Sequence, residues 1–95
     1  MMIVFIGYYS PENYKLLLEL ADDRKNLDDK WEDWLMNYIK AKTGISRDLT
    51  VKEFHVDVKK MDDYFKSNKI KNTGKSRAAY ISEQGTRDYE KTKNN

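Results

Sequence analysis

Five basic side chains and no acidic one lie between Tyr64 and Ser82, the strongest local charge imbalance in this sequence. They are Lys66, Lys69, Lys71, Lys75 and Arg77, here called the basic strip. A positively charged segment with aromatic neighbours attracts phosphate groups. The strip therefore predicts a small non-enzymatic binding or regulatory protein that contacts nucleic acid or another polyanion. The alternative is a solvated surface in a lysine-rich protein.

Part of the basic strip, Thr73-Gly74-Lys75-Ser76, matches the end of a phosphate-binding loop. The complete motif needs a Gly where this sequence has Lys69, and a strand instead of a helix before it. The segment is therefore predicted to be an ordinary helix start. Lys75 and Arg77 fall in its first turn, where the helix dipole disfavours cations and free N–H groups attract an anion. A bound phosphate would relieve that charge, so these two residues are the leading candidate phosphate ligands.

Three polar residues, Glu53, His55 and Asp57, alternate along one face of a predicted strand. Neighbours on such a face lie about 7 Å apart and could bind a divalent metal or act as general acid and base. This pattern suggests a small metal-dependent nuclease; the alternative is the polar face of a half-buried sheet. The chain has no cysteine and one His, which excludes cysteine zinc sites and disfavours a dedicated transition-metal centre. No cofactor is expected.

Trp31, Trp34, Leu35 and Tyr38 recur at the spacing of one helix face. This pattern predicts a core or interface face more strongly than a surface for stacking nucleobases. Two predicted strands are too few for an independently stable sheet unless helices cover it or a second copy extends it. A second hypothesis is therefore a protein–protein interaction module without nucleic-acid binding, in which these four residues form the interface of a homodimer.

The hydrophobic pattern predicts two strands and four helices in the order β-α-α-β-α-α. The strands cover residues 2–8 and 49–58; the helices start at Pro11, near Trp31, near Lys60 and after an Asn72 or Thr73 cap, and the last stops at Gly85. We expect a small α+β fold in which the helices pack on one face of a two-stranded sheet, which dimerisation would extend.

Residues 11–43 contain no Gly or Pro after Pro11, so one long helix and a helical hairpin are both conceivable. Asp29 and Glu32 have the spacing of a capping box, which favours a hairpin broken between Asp22 and Asp29. Two antiparallel helices would return the chain to the end of the sheet it left. The hairpin therefore predicts antiparallel strands, whereas a single helix predicts parallel ones.

The 95 residues are 39% hydrophobic and 36% charged, which fits one globular domain and neither a disordered chain nor a membrane protein. We expect that domain to cover residues 1–85 and the polar residues 86–95 to fray or stay disordered. The longest apolar run, Met1 to Ile6, is too short to cross a bilayer. The sequence thus predicts a cytoplasmic protein without a membrane partner.

Overall fold

The computed structural model describes residues 2–45 and 49–93. Its elements are β1 (Met2–Tyr8), α1 (Pro11–Leu20), a 3₁₀ turn (Arg24–Asn26), α2 (Trp31–Thr43), β2 (Leu49–His55), α3 (Val58–Ser67) and α4 (Gly74–Lys93). This confirms the predicted small α+β class and the order of the elements. Within the described ranges, every helix is too short or too polar to cross a membrane.

The two strands are parallel, with Met2 opposite Leu49 and Tyr8 opposite His55. The predicted break between the first two helices is confirmed, but the antiparallel pairing inferred from it is wrong. The reason is that α1 packs against α3 and does not run along the sheet. Only α2 carries the chain back: it starts beside Tyr9 and extends past Glu53, towards the beginning of β2.

The break between α1 and α2 has a different origin from the predicted capping box. Lys30 is the residue that precedes α2, and no side chain caps this helix. Asp29 instead accepts a hydrogen bond of 2.6 Å from the Arg24 guanidinium. The buried Tyr14 hydroxyl donates to the Asp28 carbonyl over 2.6 Å, which ties the connection to α1. A side-chain contact within the connection and one to α1 therefore fix the turn, in place of the predicted capping box.

The helices cover both faces of the sheet rather than one. Tyr8 packs edge-on against Trp34 and Tyr38 of α2, with ring centroids 5.8 and 5.7 Å apart. Phe5 and Gly7, whose side-chain positions point to the opposite face, contact α4. The single-faced arrangement would have left one side of β1 exposed. Two covering helices are what allow a parallel two-stranded sheet to be buried in a chain of this size.

Two glycines allow α4 to approach the sheet closely. A Cβ on Gly85 would lie 2.5 Å from Cγ of Phe5, and a Cβ on Gly7 would lie 2.4 Å from Cδ1 of Ile81. Gly85 is therefore a buried contact residue in mid-helix, and the predicted end of the helix at this position is wrong. Residues 86–93 of the predicted tail are helical, whereas residues 94 and 95 lie outside the described ranges.

The most deeply buried side chains lie where α1 packs against α3. They are Tyr14, Leu17, Val58, Met61 and Phe65. Asp57 caps α3 by accepting from the Lys60 N–H over 3.2 Å, so β2 ends at His55 and not at Val58 as predicted. The Val58 N–H donates to the Asn13 side chain at 3.0 Å and fixes α3 to α1. This core supports the loop that follows α3.

We expect Gly85→Ala to lower the free energy of unfolding by about 1–3 kcal/mol, because the added methyl group overpacks the contact with Phe5. The sign of this change is diagnostic, since replacing Gly by Ala in an exposed helix interior normally raises the free energy of unfolding by about 1 kcal/mol. Urea denaturation measures the change. The exposed Ser82→Ala on the same helix is the control and should stay within about 0.5 kcal/mol of the wild type. A Gly85→Ala variant as stable as the wild type would contradict the close packing of α4 on β1.

Candidate functional site

Four lysines of the basic strip surround the connection between α3 and α4. Lys66 lies in the last turn of α3, Lys69 and Lys71 lie in the connection, and Lys75 lies in the first turn of α4; all four are exposed. Lys69 has a φ of 56°, the one non-glycine residue with positive φ among those described. This left-handed conformation reverses the chain after α3. The turn therefore gathers lysines that are up to nine positions apart in the sequence.

The four lysines differ in how their charge is compensated. Lys66 Nζ lies 2.9 Å from a carboxylate oxygen of Asp62, and this hydrogen bond raises the pKa of Lys66. Within the described ranges, Lys69, Lys71 and Lys75 take part in no ion pair. These three lysines therefore carry the part of the strip whose charge is open to an incoming anion.

Arg77, the fifth member of the basic strip, points into the molecule. Arg77 is 6% exposed, and its guanidinium forms a bidentate pair with the Asp23 carboxylate, with N–O distances of 2.9 and 3.0 Å. The same group donates to the side chain and the carbonyl of Asn72, at 2.8 and 3.2 Å. The interpretation of Arg77 as a phosphate ligand is therefore corrected: its donors are used within the fold.

The pair between Arg77 and Asp23 belongs to a larger set of contacts between the turn after α1 and the start of α4. Asp22 accepts from the Asn72 N–H at 2.7 Å and donates its own N–H to the Asn72 carbonyl at 2.9 Å. Asp23 also accepts from the Gly74 N–H at 2.9 Å. We call these five residues the Asp-Arg clasp. The Arg77 hydrogen bonds hold the pKa of Asp23 below its usual range.

The clasp explains why the first turn of α4 tolerates basic residues. A carboxylate near a helix N-terminus is stabilised by the helix dipole. Asp23, which is distant in sequence, supplies this carboxylate at the first turn of α4. A bound phosphate is therefore not needed to compensate the basic residues there. Thr73-Gly74-Lys75-Ser76 serves as a helix start: the Thr73 carbonyl accepts from the Arg77 N–H at 2.9 Å, and the Ser76 hydroxyl donates to the Lys71 carbonyl at 2.5 Å.

A groove of about 390 Å³ lies beside the lysines, between α3 and α4. Phe65 is buried at this groove, and the half-buried rings of Tyr64 and Tyr80 lie 5.4 Å apart between centroids. Ile70, 38% exposed, belongs to the same lining, as do Lys71 and Lys75. We call this feature the α3–α4 groove. It combines aromatic surface with positive charge, which the sequence indicated only as a basic segment with aromatic neighbours.

Of the three candidate metal ligands, Glu53 and His55 line a common pocket, of which Asp57 is not a part. Glu53 accepts a hydrogen bond from the Tyr38 hydroxyl and pairs with Lys42 at 3.3 Å, and the Tyr38 bond lowers the pKa of Glu53. The His55 ring packs on Tyr8, 5.0 Å between centroids, and Asp57 caps α3. No group of three His, Cys, Asp or Glu side chains that could hold a metal occurs within residues 2–45 and 49–93.

The aromatic face of α2, predicted as an interface, already packs within the chain. The Trp31 indole donates to the Tyr9 carbonyl at 2.8 Å, and Trp34 stacks among the rings of four tyrosines. Tyr38 is buried, and Leu35 is half-buried like both tryptophans. The large apolar side chains that α2 exposes are instead Met36 and Ile39, at 58% and 49%.

Comparison with family models, with curated proteins and with solved structures gives no match for this chain. The candidate site is therefore defined by its own geometry. Two of the three uncompensated lysines, Lys71 and Lys75, line an aromatic groove, and the clasp holds the start of α4 in place. This arrangement can bind an anion that carries a flat or apolar group.

We expect Arg77→Ala to destabilise the protein by about 3 kcal/mol, because removing one partner of a buried pair leaves the Asp23 carboxylate without compensation. Lys75→Ala, two residues away but exposed, is the control and should change the free energy of unfolding by less than about 0.5 kcal/mol. Urea denaturation of both variants measures the difference. Equal effects would contradict the separation of the basic strip into one buried and four surface residues.

The lowered pKa of Asp23 predicts a pH-dependent stability. A carboxyl group whose pKa is lower in the folded state stabilises the fold above its unfolded pKa, and the contribution disappears as pH falls through the folded pKa. The difference in stability between the wild type and Asp23→Asn should therefore have its full size above about pH 5 and decrease at more acidic pH. Thermal melts from pH 7 to pH 2.5 measure it, with the exposed Asp63→Asn as control. A gap that is constant with pH would show that Asp23 is not held by its charge.

Proposed function

We propose that this protein is a non-enzymatic binding module that contacts single-stranded nucleic acid through Lys69, Lys71 and Lys75. The observation that carries the proposal is the position of Lys71 and Lys75 on the lining of an aromatic groove. Positive charge that follows the phosphates, combined with aromatic side chains for the bases, is the common design of proteins that bind single strands. Lys66, partly compensated by Asp62, extends the same surface.

The fixed geometry of the lysines supports this proposal. The clasp holds Asn72 and Gly74, which lie on either side of Thr73 and between Lys71 and Lys75. The backbone that presents the two lysines is thus anchored, and only their side chains must be ordered on binding. Pre-organisation of this kind reduces the entropic cost of association.

Binding is favoured over metal-dependent cleavage by the structural roles of Glu53, His55 and Asp57. Each of the three side chains has a separate role in the fold: an ion pair with α2, a ring contact with β1 and a helix cap. The predicted metal-dependent nuclease would require these side chains to converge on one metal ion. The groove lies between α3 and α4, and its lining includes none of these three residues.

Binding to a labelled 20-nucleotide single strand, measured by anisotropy at several salt concentrations, tests the proposal. The logarithm of the affinity should fall linearly with the logarithm of the salt concentration, because bound lysines release counterions. Lys71→Ala and Lys75→Ala should each flatten the slope by about 0.7, the value for one phosphate contact on a single strand. Both lysines are exposed, so neither variant should alter the melting temperature by more than a few degrees.

Lys40→Ala is the matched control. Lys40 is equally exposed but lies on α2, across the sheet from α4, so its removal lowers the net charge by the same amount without touching the proposed site. An equal effect of Lys40→Ala would show that only net charge matters. Absence of binding at low salt, or an unchanged slope for the Lys71→Ala/Lys75→Ala double variant, would overturn the proposal.

A further inference from the structure

The α3–α4 groove has the size and lining of a ligand site. Its volume of about 390 Å³ falls in the range of small-molecule pockets, which extends from about 300 to 1,000 Å³. Apolar surface comes from Tyr64, Phe65, Ile70 and Tyr80, and two lysines supply positive charge. A pocket that is mostly apolar, with a few charged groups, fixes the orientation of a ligand that has one apolar part and one charged part.

The charges of the groove differ along α4. Lys75 lies in the first turn, and Glu83, which also lines the groove, lies eight residues further on, or about 12 Å along the helix axis. Glu83 is paired with Arg87 at 2.9 Å, on an exposed part of the helix. An anionic group is therefore attracted to the end with Lys71 and Lys75. The carboxylate of Glu83 is placed to accept hydrogen bonds from N–H groups at the other end.

We infer that the α3–α4 groove accommodates one unpaired nucleobase of a single strand, whose phosphate contacts Lys71 and Lys75. This inference rests on the proposed function and adds the part of the nucleic acid that the groove recognises. The Tyr64 and Tyr80 rings, 5.4 Å apart between centroids, form an aromatic surface on which a flat ring can stack, and Glu83 can accept a hydrogen bond from the exocyclic amino group of a base. Bases stack on aromatic side chains whatever their identity, because each has a π-face.

The same geometry disfavours a duplex. A base inside a duplex is stacked on both faces and shows only its edges in the grooves, so it cannot enter a pocket lined by aromatic rings. Binding through this groove therefore requires bases that are already unpaired.

A substitution that fills the groove without changing its charge tests this inference. Ala79 lines the groove and is exposed, so Ala79→Trp should occupy the space for the base. Ala78 is equally exposed on the same helix but is not part of the lining, and Ala78→Trp is the matched control. Substitution of Tyr80 is less suitable, because its ring also packs on Phe54 and Phe65 in the fold.

Each variant is titrated with a 20-nucleotide single strand of mixed sequence, with an abasic strand of the same length, and with the corresponding duplex. The wild type should bind the single strand about 5- to 150-fold more tightly than the abasic strand, the range for stacking of one base on an aromatic side chain. Ala79→Trp should abolish this preference, and Ala78→Trp should retain it. Circular dichroism and melting temperature show that both variants are folded.

The outcomes separate this inference from the proposed function. Equal affinity of the wild type for the single strand and the abasic strand, or an unchanged preference in Ala79→Trp, would overturn base insertion and leave phosphate binding intact. Salt-independent binding or no binding to any of the three probes would overturn the proposed function itself. If a free mononucleotide displaces the strand at micromolar concentration, the groove serves a soluble nucleotide, and its assignment to a strand is wrong.

Discussion

The bidentate pair between Arg77 and Asp23 is the contact on which the candidate site depends. It joins the turn after α1 to the first turn of α4, two segments that are 54 positions apart in the sequence. Taking both charges out of water is unfavourable, and a buried pair of this kind adds little net stability unless its other hydrogen-bonding groups are satisfied. Here Arg77 also donates to Asn72, and Asp23 accepts from Gly74, so both partners are well compensated.

The position of the clasp gives it more influence than its energy suggests. Tyr9, the residue that follows β1, is 6% exposed, and burial raises its pKa to about 12. The charge of Arg77 lowers this pKa and the charge of Asp23 raises it. The clasp therefore lies beside the carboxyl end of the sheet and beneath the loop with the lysines. Through it, the packing of α1 determines where α4 begins, and with it the shape of the α3–α4 groove.

Local signals in the sequence were sufficient for the elements but not for their arrangement. The start of α1 at Pro11, the start of α2 near Trp31 and the order of the elements were predicted from short-range features, and the structure agrees with each of them. The direction of β2 depends on α1 packing against α3, a contact between segments far apart in the chain. No local pattern carries that information.

Gly85 shows the same limit in a single residue. Gly near the end of an apolar pattern commonly marks a helix end, and the polar composition of the following residues reinforced that interpretation. What decided the outcome was Phe5, whose ring occupies the space that a Cβ would need. A contact with β1, and not the backbone conformation of α4, therefore requires glycine at this position. The sequence pattern cannot distinguish these two reasons for a glycine.

The sequence identifies the five residues of the basic strip, but it does not show which of them are buried and which lie at the surface. Composition counts Arg77 and Lys75 as equal positive charges, yet a planar guanidinium suits a buried bidentate pair, whereas a lysine ammonium is strongly hydrated and stays at the surface. Each arginine in the described ranges, Arg24, Arg77 and Arg87, makes an ion pair with an acidic side chain. Of the strip's lysines only Lys66 does so. Within the basic strip, Arg77 is thus committed to a buried contact that holds the fold together, whereas Lys69, Lys71 and Lys75 keep their charge at the surface. Arg77 supports the proposed site indirectly, since it fixes the start of α4, from which Lys75 extends.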